Sequence, residues 1–171
     1  LLVLRAGIKV NPDYSWDLVE PAVRTALLDT FSFARRDLGQ DAYLSEAFAA
    51  AQAVPGVDYV DIDVFHGLPA TVTPLELLTV ADQLSSPDRV VHTRLAEYVQ
   101  DEYPSDQDLT LTQIALRTGL TVEELCRLNP TLTDATIPAF TQPTIFRGIR
   151  PAEIVVLPPD VPEALMLRRI P

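Results

Sequence analysis

The sequence predicts an α+β fold: a β-α-α-β sandwich, with helices on one face of a small sheet, and a helical hairpin or second β-α-α-β subdomain inserted late in the chain. Three patterns predict it. Leu2, Leu4, Ala6, Ile8 and Val10 are apolar at every second position, the period of a half-buried strand. Residues 16–31 and 44–54 place apolar side chains three and four apart, the period of helices with one buried side. A second alternating run, with Val60, Ile62 and Val64 on one face and Asp61 and Asp63 on the other, follows the helix stop Pro55-Gly56.

The first strand ends at Asn11-Pro12-Asp13. The next helix is expected to begin near Trp16 or Leu18, because Pro21 is tolerated only in a first turn. Val23, Leu27 and Phe31 form its apolar stripe, with Ala26 and Leu28 beside it. A polar link over 35–41 leads to a helix capped by Ser45, whose apolar side is Leu44, Phe48, Ala51 and Val54. Thr73-Pro74-Leu75-Glu76 combines an N-cap, a first-turn proline and a capping-box glutamate, so a helix follows to about Leu84 and stops at Ser85-Ser86-Pro87. Residues 89–95 read weakly as a strand, and 103–106 as a loop.

Two short helices then share one start signal. Thr110 with Gln113, and Thr121 with Glu124, are capping boxes flanked by the apolar pairs Leu109–Ile114 and Leu120–Leu125. Gly119 ends the first helix and Asn129-Pro130 the second. Residues 131–147 read as loop, 153–157 as a strand, Pro158-Pro159-Asp160 as a turn, and 165–170 as a last strand.

Composition narrows the function. With 24 acidic and 13 basic residues the net charge is −11, which repels nucleic-acid phosphate and anionic lipid and argues against both as partners. Residues 1–10 are too short and too charged for a membrane span or signal peptide, and the start at Leu1-Leu2 without Met is expected of a domain cut from a longer protein. The lone Cys126 excludes an intrachain disulfide and is compatible with a reducing cytosol.

Three segments carry a family resemblance: NPDYSWDLVEPAVRTALLDTFSFARRDLGQDAYLSEA (11–47), VPGVDYVDIDV (54–64) and GIRPAEIVVLPPDVPEALMLRRI (148–170). Together they resemble the C-terminal domain of baseplate assembly proteins, the J-type wedge proteins of phage-tail-like contractile injection systems. The resemblance implies one domain from 1–68 with 148–171, interrupted by an insertion over 69–147. It also implies a structural protein that acts by assembly with wedge, hub or spike and sheath-proximal proteins. Assembly would take place in the bacterial cytoplasm as part of a tail-like particle, without catalysis or cofactor.

Within the insertion, LTLTQIALRTGLTVEELCRLNP resembles a LysM module, a small β-α-α-β fold that binds peptidoglycan or chitin; the hairpin spans 108–132. By that resemblance Thr110, Leu111, Asn129, Pro130 and Thr131 would line a glycan groove. The sequence departs from the family at Asp108-Leu109 and at Pro151-Ala152-Glu153, positions that shape the groove. A peptidoglycan- or chitin-binding module is therefore the alternative function. Read as a helix-turn-helix, the same hairpin would present Glu123, Glu124 and one arginine, Arg127, to DNA, which is the wrong charge.

Other motifs read as structural. Asp61-Ile62-Asp63 has the form of a cation-binding pair, but a half-buried strand presents acids on its solvated face in the same way. His66 and His92 lie apart without a zinc spacing, and Cys126 sits beside Leu125 and Leu128 in a helix. Tyr14 and Trp16 suit a hydrophobic lid over the first helix. No nucleophile elbow, phosphate loop or dinucleotide fingerprint occurs. Catalytic residues, metal ligands and cofactor contacts are accordingly expected to be none.

Overall fold

The computed structural model describes residues 1–84, 86–133 and 136–171, and describes 74, 75, 78 and 81 by their backbone alone. It is a mixed α+β structure of two compact units, one formed by 1–95 with 152–171 and the other by 96–151. In chain order the first unit contains β1 (Leu2–Val10), α1 (Trp16–Thr30), β2 (Ala42–Tyr43), α2 (Leu44–Gln52), β3 (Val57–Gly67), α3 (Pro74–Gln83) and β4 (Val90–Val91). The second contains β5 (Glu97–Glu102), α4 (Leu111–Thr118), α5 (Val122–Leu128) and β6 (Thr144–Arg150). The chain then returns to the first unit for a 3-10 turn (Pro162–Ala164) and β7 (Leu165–Arg169). Compared with the expected insertion over 69–147, residues 69–95 go with the first unit and 148–151 with the second. The reasons are local: α3 and β4 pack or pair within the first unit, and β6 pairs with β5.

In the first unit β1 is the middle strand, antiparallel to β3 and parallel to β7. Leu2, Leu4, Ala6 and Ile8 pack on Val19, Val23, Leu27 and Phe31 of the α1 stripe and on Ala47 and Ala51 of α2. Val23 and Leu27 have no exposed surface, and burial of each stabilises the fold by about 1.5–3 kcal/mol. The opposite face is covered as well, since Leu77 of α3 packs on Val3 and Val64. Helices therefore lie on both faces of this sheet, in contrast to the one-sided arrangement the sequence predicts.

Several expectations are corrected. Helix α1 starts at Trp16, one of the two expected starts, with Ser15 O accepting the N–H groups of Leu18 and Val19 at 3.1 Å, but Pro21 then stands in the second turn and not the first, and leaves the Asp17 carbonyl without its helical donor. Helix α2 starts before Ser45. The Tyr43 N–H donates to the Glu46 carboxylate at 2.9 Å and the Leu44 N–H to Arg89 O at 3.0 Å, so pairing of β2 with β4 sets the helix start. Of the strand expected over 89–95, Val90 and Val91 alone pair. Residues 153–157 form no ladder: Glu153 N–H donates to Arg94 O (2.8 Å), Leu157 N–H to Phe31 O (2.9 Å), and Val156 O accepts from Leu2 N–H (2.8 Å). That segment threads between elements, with Val155 and Leu157 buried. Of the expected stop after α3, Ser85 lies outside the described residues.

A buried arginine orders the link between α1 and α2. The Arg36 side chain is 1% exposed, lies 3.3 Å from the Glu46 carboxylate, donates to Asp41 O, and stands 5.3 Å from the Phe31 ring centroid. Phe31 in turn meets Phe65 edge-on at 5.9 Å.

Candidate functional site

The second unit is built around its two short helices. Thr110 Oγ1 accepts the Gln113 N–H at 3.2 Å while Gln113 accepts the Thr110 N–H at 2.9 Å; Thr121 and Glu124 repeat this at 3.2 and 2.8 Å. Gly119 ends α4 at φ 76°, in the left-handed region that favours glycine. Leu109, Leu111, Ile114, Leu125 and Ile137 form the buried core of the unit, with Leu120 and Val122 half-buried against it. Leu128 is half-buried and is not part of that core. The threonine N–H and hydroxyl hold the Glu124 carboxyl below its ordinary value, as they do for Glu76 beside Thr73.

The strands of this unit differ from the sequence expectation. β5 and β6 pair antiparallel, from Glu97 opposite Arg150 to Glu102 opposite Thr144, in stretches whose sequence predicts loop or no element. Arg150 closes their open end through Asp101 at 2.7 Å and Glu97 at 3.6 Å.

The five residues proposed to line a glycan groove differ in exposure and in partners. Thr110 is the cap of α4 and Leu111 is fully buried. Asn129 is spent on the backbone: Nδ2 donates to Leu125 O (2.9 Å) and Thr144 O (2.7 Å), and Oδ1 accepts the Thr144 N–H (2.7 Å). It clamps the end of α5 to the start of β6. Pro130 and Thr131 are exposed.

A groove does exist in the loops joining strands to helices. The N–H and C=O of Leu109 bond to Ile137 at 3.0 and 2.6 Å, and Phe140 N–H donates to Ser105 O at 2.8 Å. The Ala139 N–H donates to the Asp108 carboxylate at 2.8 Å. These bonds hold the two loops side by side around a cavity of 350 Å³ lined by Pro104, Ser105, Asp106, Phe140 and Gln142. Phe140 is 83% exposed and has φ 66°, a left-handed conformation that is strained for an aromatic residue. An exposed ring beside a carboxylate, a hydroxyl and an amide suits a ligand with one flat apolar face and a polar rim. No periodicity marks Phe140 as a site residue. Its one signal in the sequence is an apolar residue inside a turn-rich segment.

The remaining motifs have structural partners. Asp63 pairs with Arg168 at 2.7 Å and lies 3.7 Å from Arg5. His66 and His92 pair with Asp88 and Asp41, and Cys126 packs half-buried against the hairpin core. Gly56, at φ 92°, lies under Tyr14, and a Cβ there would come within 2.6 Å of the tyrosine ring. Among the described residues no group of three or more His, Cys, Asp or Glu side chains is placed to hold a metal ion. Nor is any of their helices long and apolar enough to cross a membrane. Comparison with protein-family models, curated proteins and solved structures finds no match.

Proposed function

We propose that this chain is a structural component of a contractile, phage-tail-like baseplate: the C-terminal domain of a J-type wedge protein, acting by protein–protein assembly and carrying no enzymatic activity. One observation carries the reading. Strands from the two ends of the chain share a sheet, β7 lying parallel to β1 with Leu165 opposite Leu4 and Arg169 opposite Ile8. Of the segments that bear the resemblance, 11–47, 54–64 and 148–170, all but residues 148–151 thus belong to one compact unit. On this reading the first unit is the β-α-α-β sandwich of the wedge domain, with α3 added on its second face, and β5-α4-α5-β6 is an inserted LysM-like subdomain. Its partners are neighbouring wedge, hub or spike and sheath-proximal proteins, met during assembly in the bacterial cytoplasm; nucleic acid is not among them, and it does not insert into a membrane.

The test is deletion of the coding sequence in a host that produces contractile particles, followed by electron microscopy. The reading expects particles without intact baseplates. Normal contractile particles from the deletion strain would overturn it.

A second reading, a peptidoglycan- or chitin-binding module, is favoured by the Phe140 groove. Titration with chitin oligomers and sedimentation with purified peptidoglycan separate the two. Saturable binding abolished by Phe140→Ala, in a protein that remains folded, would favour the glycan module.

A further inference from the structure

The chain has two histidines, and both pair with an aspartate along one stretch of backbone. From β3, His66 Nδ1 lies 2.6 Å from Asp88 Oδ2 and Nε2 lies 2.7 Å from Ser86 O. Asp88 in turn donates its N–H to Phe65 O at 3.0 Å. Just beyond β4, His92 Nδ1 lies 2.9 Å from Asp41 Oδ2, and Thr93 N–H donates to Asp41 Oδ1 at 2.7 Å. Further on, Arg94 pairs with Glu153 and its carbonyl accepts the Glu153 N–H at 2.8 Å. Residues 86–95 are thus fastened at intervals to β3, to β2 and the residue before it, to the start of α2 and to the returning segment at 153.

We propose that residues 86–95 form a pH-sensitive strap, closed by the His66–Asp88 and His92–Asp41 pairs while the imidazoles are protonated and loosened as they lose their protons. A neutral imidazole has one N–H and one lone pair. Both nitrogens of His66 face acceptors, so a neutral ring would turn a lone pair toward either the Asp88 carboxylate or the Ser86 carbonyl. The imidazolium donates at both. At His92 the contact with Asp41 is an ion pair only when the ring is charged.

The surroundings leave these two aspartates as the responsive charges. Opposite His66 on β1 stands the uncharged Val3. His92 lines a cavity with Thr93, Glu153 and Leu1, where Glu153 is already paired with Arg94 and the Leu1 amine donates to Leu68 O. Asp41 is held below its ordinary value chiefly by the Thr93 N–H and next by His92, so its carboxylate stays ionised throughout imidazole titration. The sign follows: the two His–Asp contacts are at full strength while the rings are charged and weaken as the rings lose their protons.

The experiment uses the whole chain. Ring nitrogen shifts of both histidines and amide exchange at Asp88 and Thr93 are followed by NMR from about pH 5.5 to about pH 8, with Val60 in the sheet as reference. The expected result is a roughly tenfold fall in Asp88 and Thr93 protection relative to Val60 across the titration. In H66Q/H92Q the relative protection is expected to be low and flat. A constant ratio in the wild-type chain while both rings titrate overturns the proposal, as does a His66 ring with a single N–H at the acid end. Both readouts come from the wild-type chain, so they decide the matter even where the double variant fails to fold.

Discussion

Replacing Asn129 by Ala or Asp separates a ligand residue from a structural clamp. Thr144 is buried, 5% exposed, and its backbone N–H and C=O both bond to the Asn129 amide at 2.7 Å. Ala removes three hydrogen bonds and orphans two buried backbone groups on Thr144. At about 1–3 kcal/mol for each unsatisfied group, and with some water able to enter, the second unit should lose about 2–4 kcal/mol. Asp keeps the acceptor for the Thr144 N–H but loses both donors and turns charge toward the Leu125 and Thr144 carbonyls. Its carboxyl is protonated more readily folded than unfolded, so the damage should shrink as pH falls and a donor is regained. Trp16, the one tryptophan, lies in the first unit, so amide exchange within 96–151 is the appropriate assay. A change under about 0.5 kcal/mol for N129A, or an N129D as stable as wild type at neutral pH, would refute the clamp. The result also governs glycan tests: loss of binding in an Asn129 variant reports unfolding, whereas Thr131 and Phe140 variants report the surface.

Arg36→Ala should cost about 2–4 kcal/mol by urea denaturation, because removing the buried guanidinium takes away the Asp41 carbonyl's donor and leaves the Glu46 carboxylate with the Tyr43 N–H but no cation; a loss under about 1 kcal/mol would count against it. Phe140→Gly should raise stability by about 1 kcal/mol, since an 83% exposed ring gives up little burial and glycine accepts φ 66° without strain; thermal denaturation showing a clear loss contradicts this. The carboxyls of Asp41, Glu76 and Glu124 are all held low by N–H donors from Thr93, Thr73 and Thr121. Their folded values lie below the unfolded ones, so their stabilisation is present above the ordinary carboxylate range and lost as pH falls through the lowered values. Urea midpoints should therefore drop below about pH 4, and a flat profile to pH 2 would be inconsistent with these contacts.

What is legible in the sequence is what short-range chemistry decides. Thr110, Thr121, Gly119 and the threonine before α3 mark helix ends through bonds to residues three or four away, and the structure places them at those ends. The stripe from Val23 to Phe31 is legible because burial repeats at helical period. β5 and β6 are not, since Tyr98 and Ile149 face each other across the ladder at 67% and 70% exposure, while Glu97, Asp101 and Arg150 supply ion pairs in place of a buried face. A two-stranded ribbon of that kind carries no alternation to read. The groove is illegible for a related reason: Ser105, Asp106 and Phe140 meet through long-range loop bonds that leave no spacing in the sequence.

The strand that reads most clearly shows the limit of periodicity best. Alternation assigns Val60, Ile62 and Val64 to one face of β3, but the ladder pairs Ala6 with Ile62 and Arg5 with Val64, so Asp63 is an extra residue. That bulge turns Val64 to the opposite face, where it packs with Val3 and Leu77, and gives its place on the face covered by α1 and α2 to Phe65. The shift answers a demand made by β1, whose Leu2-Val3-Leu4 is buried on both sides and needs consecutive apolar partners opposite it. It also disposes of the acidic pair as a cation site. Asp61 faces outward opposite Gly7, whereas the bulged Asp63 is drawn to Arg168 at 2.7 Å and toward Arg5 at 3.7 Å. Once its charge is matched by two guanidiniums, Asp63 serves to fasten β3 and β7 across the central strand, and a divalent cation would have to displace both arginines to bind there.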